Sequence, residues 1–153
     1  MQSFDRDLLI LLNDVARLMR TRFDQRARAQ GMTRAQWFIL ARLSHHPGQS
    51  QNELAAVCEV EPITVGRLID RLEARGLVER RPDPMDRRIR RLHLLPAAQP
   101  FLDEIARYRE ELANEILNGV PEPARELLVN ALLQIKNNIT AGMACAPQLV
   151  AEG

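Results

Sequence analysis

Four arginines fall within five positions of this sequence: Arg87, Arg88, Arg90 and Arg91. A guanidinium group is a planar, always-charged fork of donors, and it can grip a phosphate or the edge of a guanine through two bonds at once. The surrounding stretch shares the bias. From Val60 to Pro96 there are nine arginines against six acids, although the whole chain carries a net charge of only +1. With a single lysine, Lys136, the cationic chemistry of the chain is that of arginine. Thr64 and Arg67 lie just upstream, on the polar side of a stretch whose Val65, Leu68, Ile69 and Leu72 have helical spacing. The chemistry these residues offer is recognition of a polyanion; the alternative is a solvated basic hairpin.

Other chemistries find no support. The fingerprints HExxH and GxSxG, the P-loop and the dinucleotide turn are absent. His45, His46 and His93 do not combine with acids and cysteines into a metal-ligand set, and two cysteines, Cys58 and Cys145, are too few for a disulfide framework. The apolar run Leu8 to Leu12 is far too short to span a membrane, and no secretory segment opens the chain. The expectation is a cytoplasmic binding protein with no catalytic residues, metal or cofactor and no membrane partner.

The elements that position the arginines follow from local signals. Pro62 suits the first turn of a helix, where its missing N–H has no partner to lose, and Gly76 suits the exit. Val78 and Arg80 begin a short strand, and Ile89, Leu92 and Leu94 fit a returning one, with Asp83, Pro84, Asp86, Arg87 and Arg88 in the loop between. Upstream, Thr33 with Gln36 and Ser50 with Glu53 each have the spacing of a capping box, so two short helices precede the arginine-bearing unit. The Ser50 helix and the Pro62 helix, joined by a tight turn at Val60-Glu61 and followed by the hairpin, predict a winged helix-turn-helix. Long helical patterns flank it. Leu8, Leu12, Val15, Met19 and Phe23 form a stripe over residues 4–29, broadened by Leu9, Leu11 and Leu18. Phe101, Leu102, Ile105, Tyr108, Leu112 and Ile116 sustain a helix from near Pro96, and Leu127, Leu128, Leu132, Ile135 and Ile139 a last one over about 124–142. So broad an apolar face on the first helix fits a subunit interface; packing within one chain is the alternative.

The predicted fold is mainly α with a small β-wing: a winged helix-turn-helix with long N- and C-terminal dimerisation helices. Residues 1–30 and 97–144 form the helical dimerisation unit, 33–95 the winged helix-turn-helix lobe and 145–153 a flexible tail.

The sequence resembles the MarR family of bacterial transcriptional regulators, the multiple antibiotic resistance regulator type that includes SlyA-like proteins. Thr64-Val65-Gly66-Arg67-Leu68-Ile69-Asp70-Arg71-Leu72-Glu73, then Gly76-Leu77-Val78-Glu79-Arg80, then Asp86-Arg87-Arg88 carry the resemblance. It departs from the family pattern at Glu61, where Ser or Asn is common, and at Leu95-Pro96-Ala97-Ala98, which lacks the usual threonine. The resemblance implies a homodimer on a pseudo-palindromic duplex operator, with a recognition helix in the major groove and a wing over the minor groove. It also implies repression relieved by a small aromatic or phenolic ligand.

On that basis the DNA-binding residues are Ser50, Gln51, Pro62, Ile63, Thr64, Arg67, Arg71, Asp86, Arg87, Arg88 and Arg90, with Arg91 as a further phosphate contact. Arg67 is expected to read guanine, and Ser50, Gln51 and Asn52 to face phosphate from a helix start. The resemblance implies that Asp86 pairs with one wing arginine while the other enters the minor groove. Arg87 is assigned to the groove and Arg88 to the pair, with the reverse as the alternative. Arg17, Met19, Trp37, Phe38 and His46 are effector-binding candidates by position. The competing functions are a thiol-responsive repressor using Cys145 or Cys58 and a winged-helix protein-interaction module.

Overall fold

The computed structural model describes residues 4–145, apart from the side chains of Asp5 and Cys145. Of the expected tail over 145–153, residues 146–153 and the Cys145 thiol therefore lie outside the described residues. A 3-10 turn, Phe4–Arg6, leads into α1 (Leu8–Ala29), α2 (Arg34–His45), α3 (Gln51–Cys58) and α4 (Pro62–Ala74). The strands β1 (Val78–Pro82) and β2 (Arg90–Leu94) follow, then a 3-10 turn Pro96–Ala98, α5 (Gln99–Ile116) and α6 (Glu122–Cys145).

Side-chain caps start three of the helices. Asp7 Oδ1 accepts from the N–H groups of Leu9 and Ile10 at 2.9 and 3.2 Å and opens α1. Thr33 and Ser50 open α2 and α3 through complete capping boxes, closed by Gln36 and Glu53. Pro62 sits in the first turn of α4, and Gly76 follows its end at φ +71°, a left-handed conformation that a side chain would strain. Two boundaries differ from the sequence expectation. Leu95 offers no side-chain cap, so the chain makes a 3-10 turn at Pro96 before α5 begins at Gln99. Ile89 stands outside β2; its N–H donates to the Asp86 carbonyl and its carbonyl accepts from Asp83 N–H, so it closes the wing loop instead.

The chain divides into two compact units after Tyr108, inside α5. The first unit has one core, built from Ile39, Leu40 and Leu43 of α2, Leu54 of α3, Val65, Ile69 and Leu72 of α4, and Val78 and Leu92 of the wing, all essentially inaccessible. Burying each such side chain contributes roughly 1.5–3 kcal/mol. Strands β1 and β2 pair antiparallel with Val78 opposite Leu94 and Arg80 opposite Leu92. The end of α1 is fixed to this core. Tyr108 donates its hydroxyl to the Arg22 carbonyl at 3.2 Å and meets Phe23 and Trp37 edge-on. The buried Glu104 is held by Arg26 at 2.7 Å and by Arg107. In the second unit, Arg125 closes the α5–α6 turn by donating to the carbonyls of Val120 and Leu117 at 2.9 and 3.1 Å.

Both outer helices keep apolar faces uncovered. On α1, Leu8, Leu9, Leu11, Val15 and Leu18 are exposed, and on α6, Leu127, Leu128, Val129, Leu132, Leu133 and Ile139 are. Of the α1 stripe, Phe23 is the exception and packs edge-on against Tyr108. No helix among the described residues is long and apolar enough to cross a membrane.

Candidate nucleic-acid interface

Helix α4 is amphipathic, and its buried side fixes what its other side shows. With Val65, Ile69 and Leu72 in the core, Pro62, Ile63, Thr64, Arg67 and Arg71 are left exposed. Two side chains hold the helix in place. Gln51, at the start of α3, donates its amide to the Pro62 carbonyl at 2.9 Å and lies flat against Gly66, where a Cβ would come within 2.8 Å of the amide nitrogen. Arg80, from β1, reaches back to Asp70 at 2.7 Å, Glu73 at 3.1 Å and the Gly66 carbonyl at 3.3 Å. Expected to face phosphate, Gln51 here directs its side-chain amide to α4. Its side chain spans the two helices, because the close approach that Gly66 permits puts an acceptor beside it. Ser50 stands at the start of α3 with its hydroxyl accepting from Glu53 N–H, and the neighbouring Asn52 is exposed.

The wing loop is built on two aspartates. Asp83 Oδ1 accepts from the N–H groups of Met85 and Asp86 at 2.7 and 3.1 Å, and Asp86 Oδ1 accepts from Arg88 N–H at 3.0 Å. Arg88 then lies across Asp86 as a two-pronged pair, each contact 3.1 Å, and the Arg87 side chain has no partner among the described residues. Arg91 turns inward rather than out to phosphate. Its Nε donates to Asp83 at 2.8 Å, and its terminal nitrogen reaches both oxygens of Glu53 at 3.2 and 3.3 Å. The α3 capping glutamate and the wing loop therefore share one arginine. The Asp83 carboxyl is held below the usual range, first by the Arg91 bond and then by the two backbone donors. The Arg88 bond does the same for Asp86, and the Ser50 N–H and Arg91 for Glu53.

These contacts sort the nine arginines between Val60 and Pro96. Arg75 donates to the Gly31 carbonyl and lies over the Phe101 ring, and Arg80, Arg81, Arg88 and Arg91 are ion-paired. Among the described residues, the side chains of Arg67, Arg71, Arg87 and Arg90 have no hydrogen bond or ion pair, and all four are exposed. Two of these sit on α4 and two on the wing. Charge density alone did not separate the two sets. The only advance signal for the fixed group was the acid spacing around it, such as Asp83 ahead of Asp86.

The effector candidates separate by burial. Trp37 is a core residue packed against Tyr108, whereas Arg17, Met19, Phe38 and His46 lie at the surface, Arg17 in contact with Asp14 at 3.3 Å. Burial pushes the Cys58 thiol up, with a smaller opposing effect from Arg42, which makes it a poor thiolate at neutral pH. No cluster of three or more histidines, cysteines or acids suited to a metal occurs among the described residues.

Comparison with known proteins agrees with this geometry. A MarR family model matches residues 30–89, from the end of α1 to the wing loop. A solved protein described as the transcriptional regulator PA3341 is 32% identical and superposes with a TM-score of 0.78, covering 88% of this chain and 99% of its own. The crystal structure of MarR is 25% identical with a TM-score of 0.81, over 94% of this chain and 98% of that one. BpsR of Bordetella bronchiseptica, whose DNA binding is regulated by 6-hydroxynicotinic acid, is 24% identical with a TM-score of 0.73, over 89% and 97%.

Proposed function

This chain belongs to the MarR family of DNA-binding transcriptional regulators, and we propose on that premise that it works as a homodimeric repressor on a pseudo-palindromic operator. The observation that carries the reading is the sorting of the arginines: four have no partner among the described residues, two on the exposed side of α4 and two on the wing, while their neighbours are tied down. Each subunit lays α4 in a major groove, where Arg67 reads a guanine and Thr64 touches phosphate or a thymine methyl. Arg87 enters the flanking minor groove, favouring its narrow A·T-rich tracts, from a tip that the Asp86–Arg88 pair stiffens. Arg71 and Arg90 take phosphates. The exposed leucines of α1 and α6 supply the subunit interface, grouping residues 1–30 with 97–144 in the assembled dimer.

The effector is a small aromatic or phenolic acid acting in the cytoplasm. Its support is the family and the ligand of BpsR; the raised thiol of Cys58 disfavours the redox alternative at that residue. Selection of bound duplexes from a random pool tests the DNA reading, followed by competition with a panel of aromatic acids. A recovered inverted repeat, weakened by R67A and R87A, is expected. Binding that neither substitution alters would overturn the assignment.

A further inference from the structure

The geometry points to Glu61 as the residue that selects cytosine at one position of each half-site. The inference rests on the DNA-binding reading above and deepens it. Glu61 is the N-cap of α4. At that position a short polar side chain turns back to accept from the first free N–H groups, as Asp7, Thr33 and Ser50 do in this chain. Glu61 does not: only its backbone carbonyl is used, accepting from Thr64 and Val65 at 2.9 and 3.2 Å, and its side chain makes no capping bond. Its carboxylate is one methylene longer than that of a capping aspartate. It is exposed, and among the described residues it has no ion pair. It lines the groove between α3 and α4 together with Asn52, Pro62 and Thr64.

Spacing puts Glu61 at the head of one helical stripe, followed by Thr64, Arg67 and Arg71 at intervals of three and four. Such a stripe presents an acceptor-only carboxylate first, a hydroxyl that can donate or accept next, and two donor-only guanidinium groups behind them. In the major groove a carboxylate finds a match in the cytosine N4 amine; adenine offers its N6 amine only beside the N7 acceptor, which repels a carboxylate, and guanine and thymine present it with acceptors. Opposite phosphate it is repelled. A glutamate held at the leading end of the reading helix therefore discriminates between bases even where its net contribution to affinity is small.

The test is selection from random duplexes with the full-length wild type and with Glu61→Ala, Glu61→Gln and Glu61→Asp, with melting curves to show that each is folded. The wild type is expected to show cytosine at one symmetric position per half-site. E61A should lose that preference, by about fivefold or more in relative affinity. E61Q should move it toward adenine, whose N6 and N7 match an amide. E61D should turn back to cap α4, so it melts no lower than wild type but loses the cytosine preference with its charge intact. Identical base preferences in all four proteins would overturn the inference. So would a uniform tightening on every sequence in E61A and E61Q, the mark of plain phosphate repulsion. A wild type that selects no duplex would overturn the DNA reading itself, and this inference with it.

Discussion

If ion pairing decides which arginines meet DNA, neighbouring substitutions of like charge should act very differently. Arg90 is exposed and has no partner among the described residues, whereas Arg81, in the opposite strand, is paired with Glu79. Each phosphate neutralised on a duplex adds about 0.9 to the slope of log affinity against log salt. Two copies of Arg90 in a dimer therefore make R90A shallower by about 1.8, which is about a tenfold smaller loss of affinity between 50 and 200 mM salt. R71A should do the same. R81A frees Glu79 and removes a cation that is already neutralised, so its slope should stay near that of wild type. R67A should differ from all three, relaxing preference at one guanine by roughly 1–3 kcal/mol per half-site. Fluorescence anisotropy on the selected duplex, titrated across that salt range, measures each quantity. An R81A slope reduced as far as that of R90A would refute the sorting, because charge density and not pairing would then set the contacts.

Other consequences can be checked together. Gly66→Ala removes the space beside Gln51 but gains helix propensity; a gain of about 1 kcal/mol against a lost hydrogen bond of about 0.5–1.5 leaves stability within about 1 kcal/mol of wild type. A urea melt showing a loss above about 2 kcal/mol would mean that Gln51 cannot swing aside. Leu18→Glu and Leu132→Glu, on exposed apolar faces, should halve the sedimenting mass while leaving helical circular dichroism intact; an unchanged mass would place the subunit interface elsewhere. Asp83 and Asp86 have depressed folded values, so the wing order they confer is present above the ordinary aspartate range and is lost only as pH falls through those depressed values. Carboxyl carbon shifts should titrate below that range, and R91A should return Asp83 toward it. A wild-type midpoint at or above the ordinary value would contradict the contacts seen.

The legible part of this protein was what short-range chemistry writes. Capping boxes at Thr33 and Ser50, Pro62 at a helix start and Gly76 at an exit are local events, decided within four residues, and the structure has them where the spacing puts them. The core face of α4 follows from one helical period. Long-range partner choice was not legible. Arg91 binds Glu53 across 38 positions, and Gln51 finds Pro62 through a gap that exists only because Gly66 lacks a side chain. Both looked like outward-facing polar residues because no periodicity marks a side chain that turns sideways. Trp37 is a third case: position alone offered it equally as core and as an effector contact, and the structure packs it in the core against Tyr108.

The fixed residues also explain why the free ones can be used. Gln51 ties α3 to α4, Arg80 ties β1 to α4, and Arg91 ties the wing loop to α3. Three elements joined pairwise by three side chains form a closed frame, so moving any one against another must break a charge-assisted hydrogen bond or the hydrogen bond of the Gln51 amide. Arg67 and Arg87 are carried on different sides of that frame, one on the helix and one on the wing. Reading two grooves at once requires their separation to be constant, since a misplaced second contact forfeits the advantage of the first. Opening the frame should therefore cost binding without touching a DNA-facing residue. In R80A, Arg67 and Arg87 remain in place chemically, yet the half-site preference of each should blur together. Loss at only one of the two base positions would mean that helix and wing read independently.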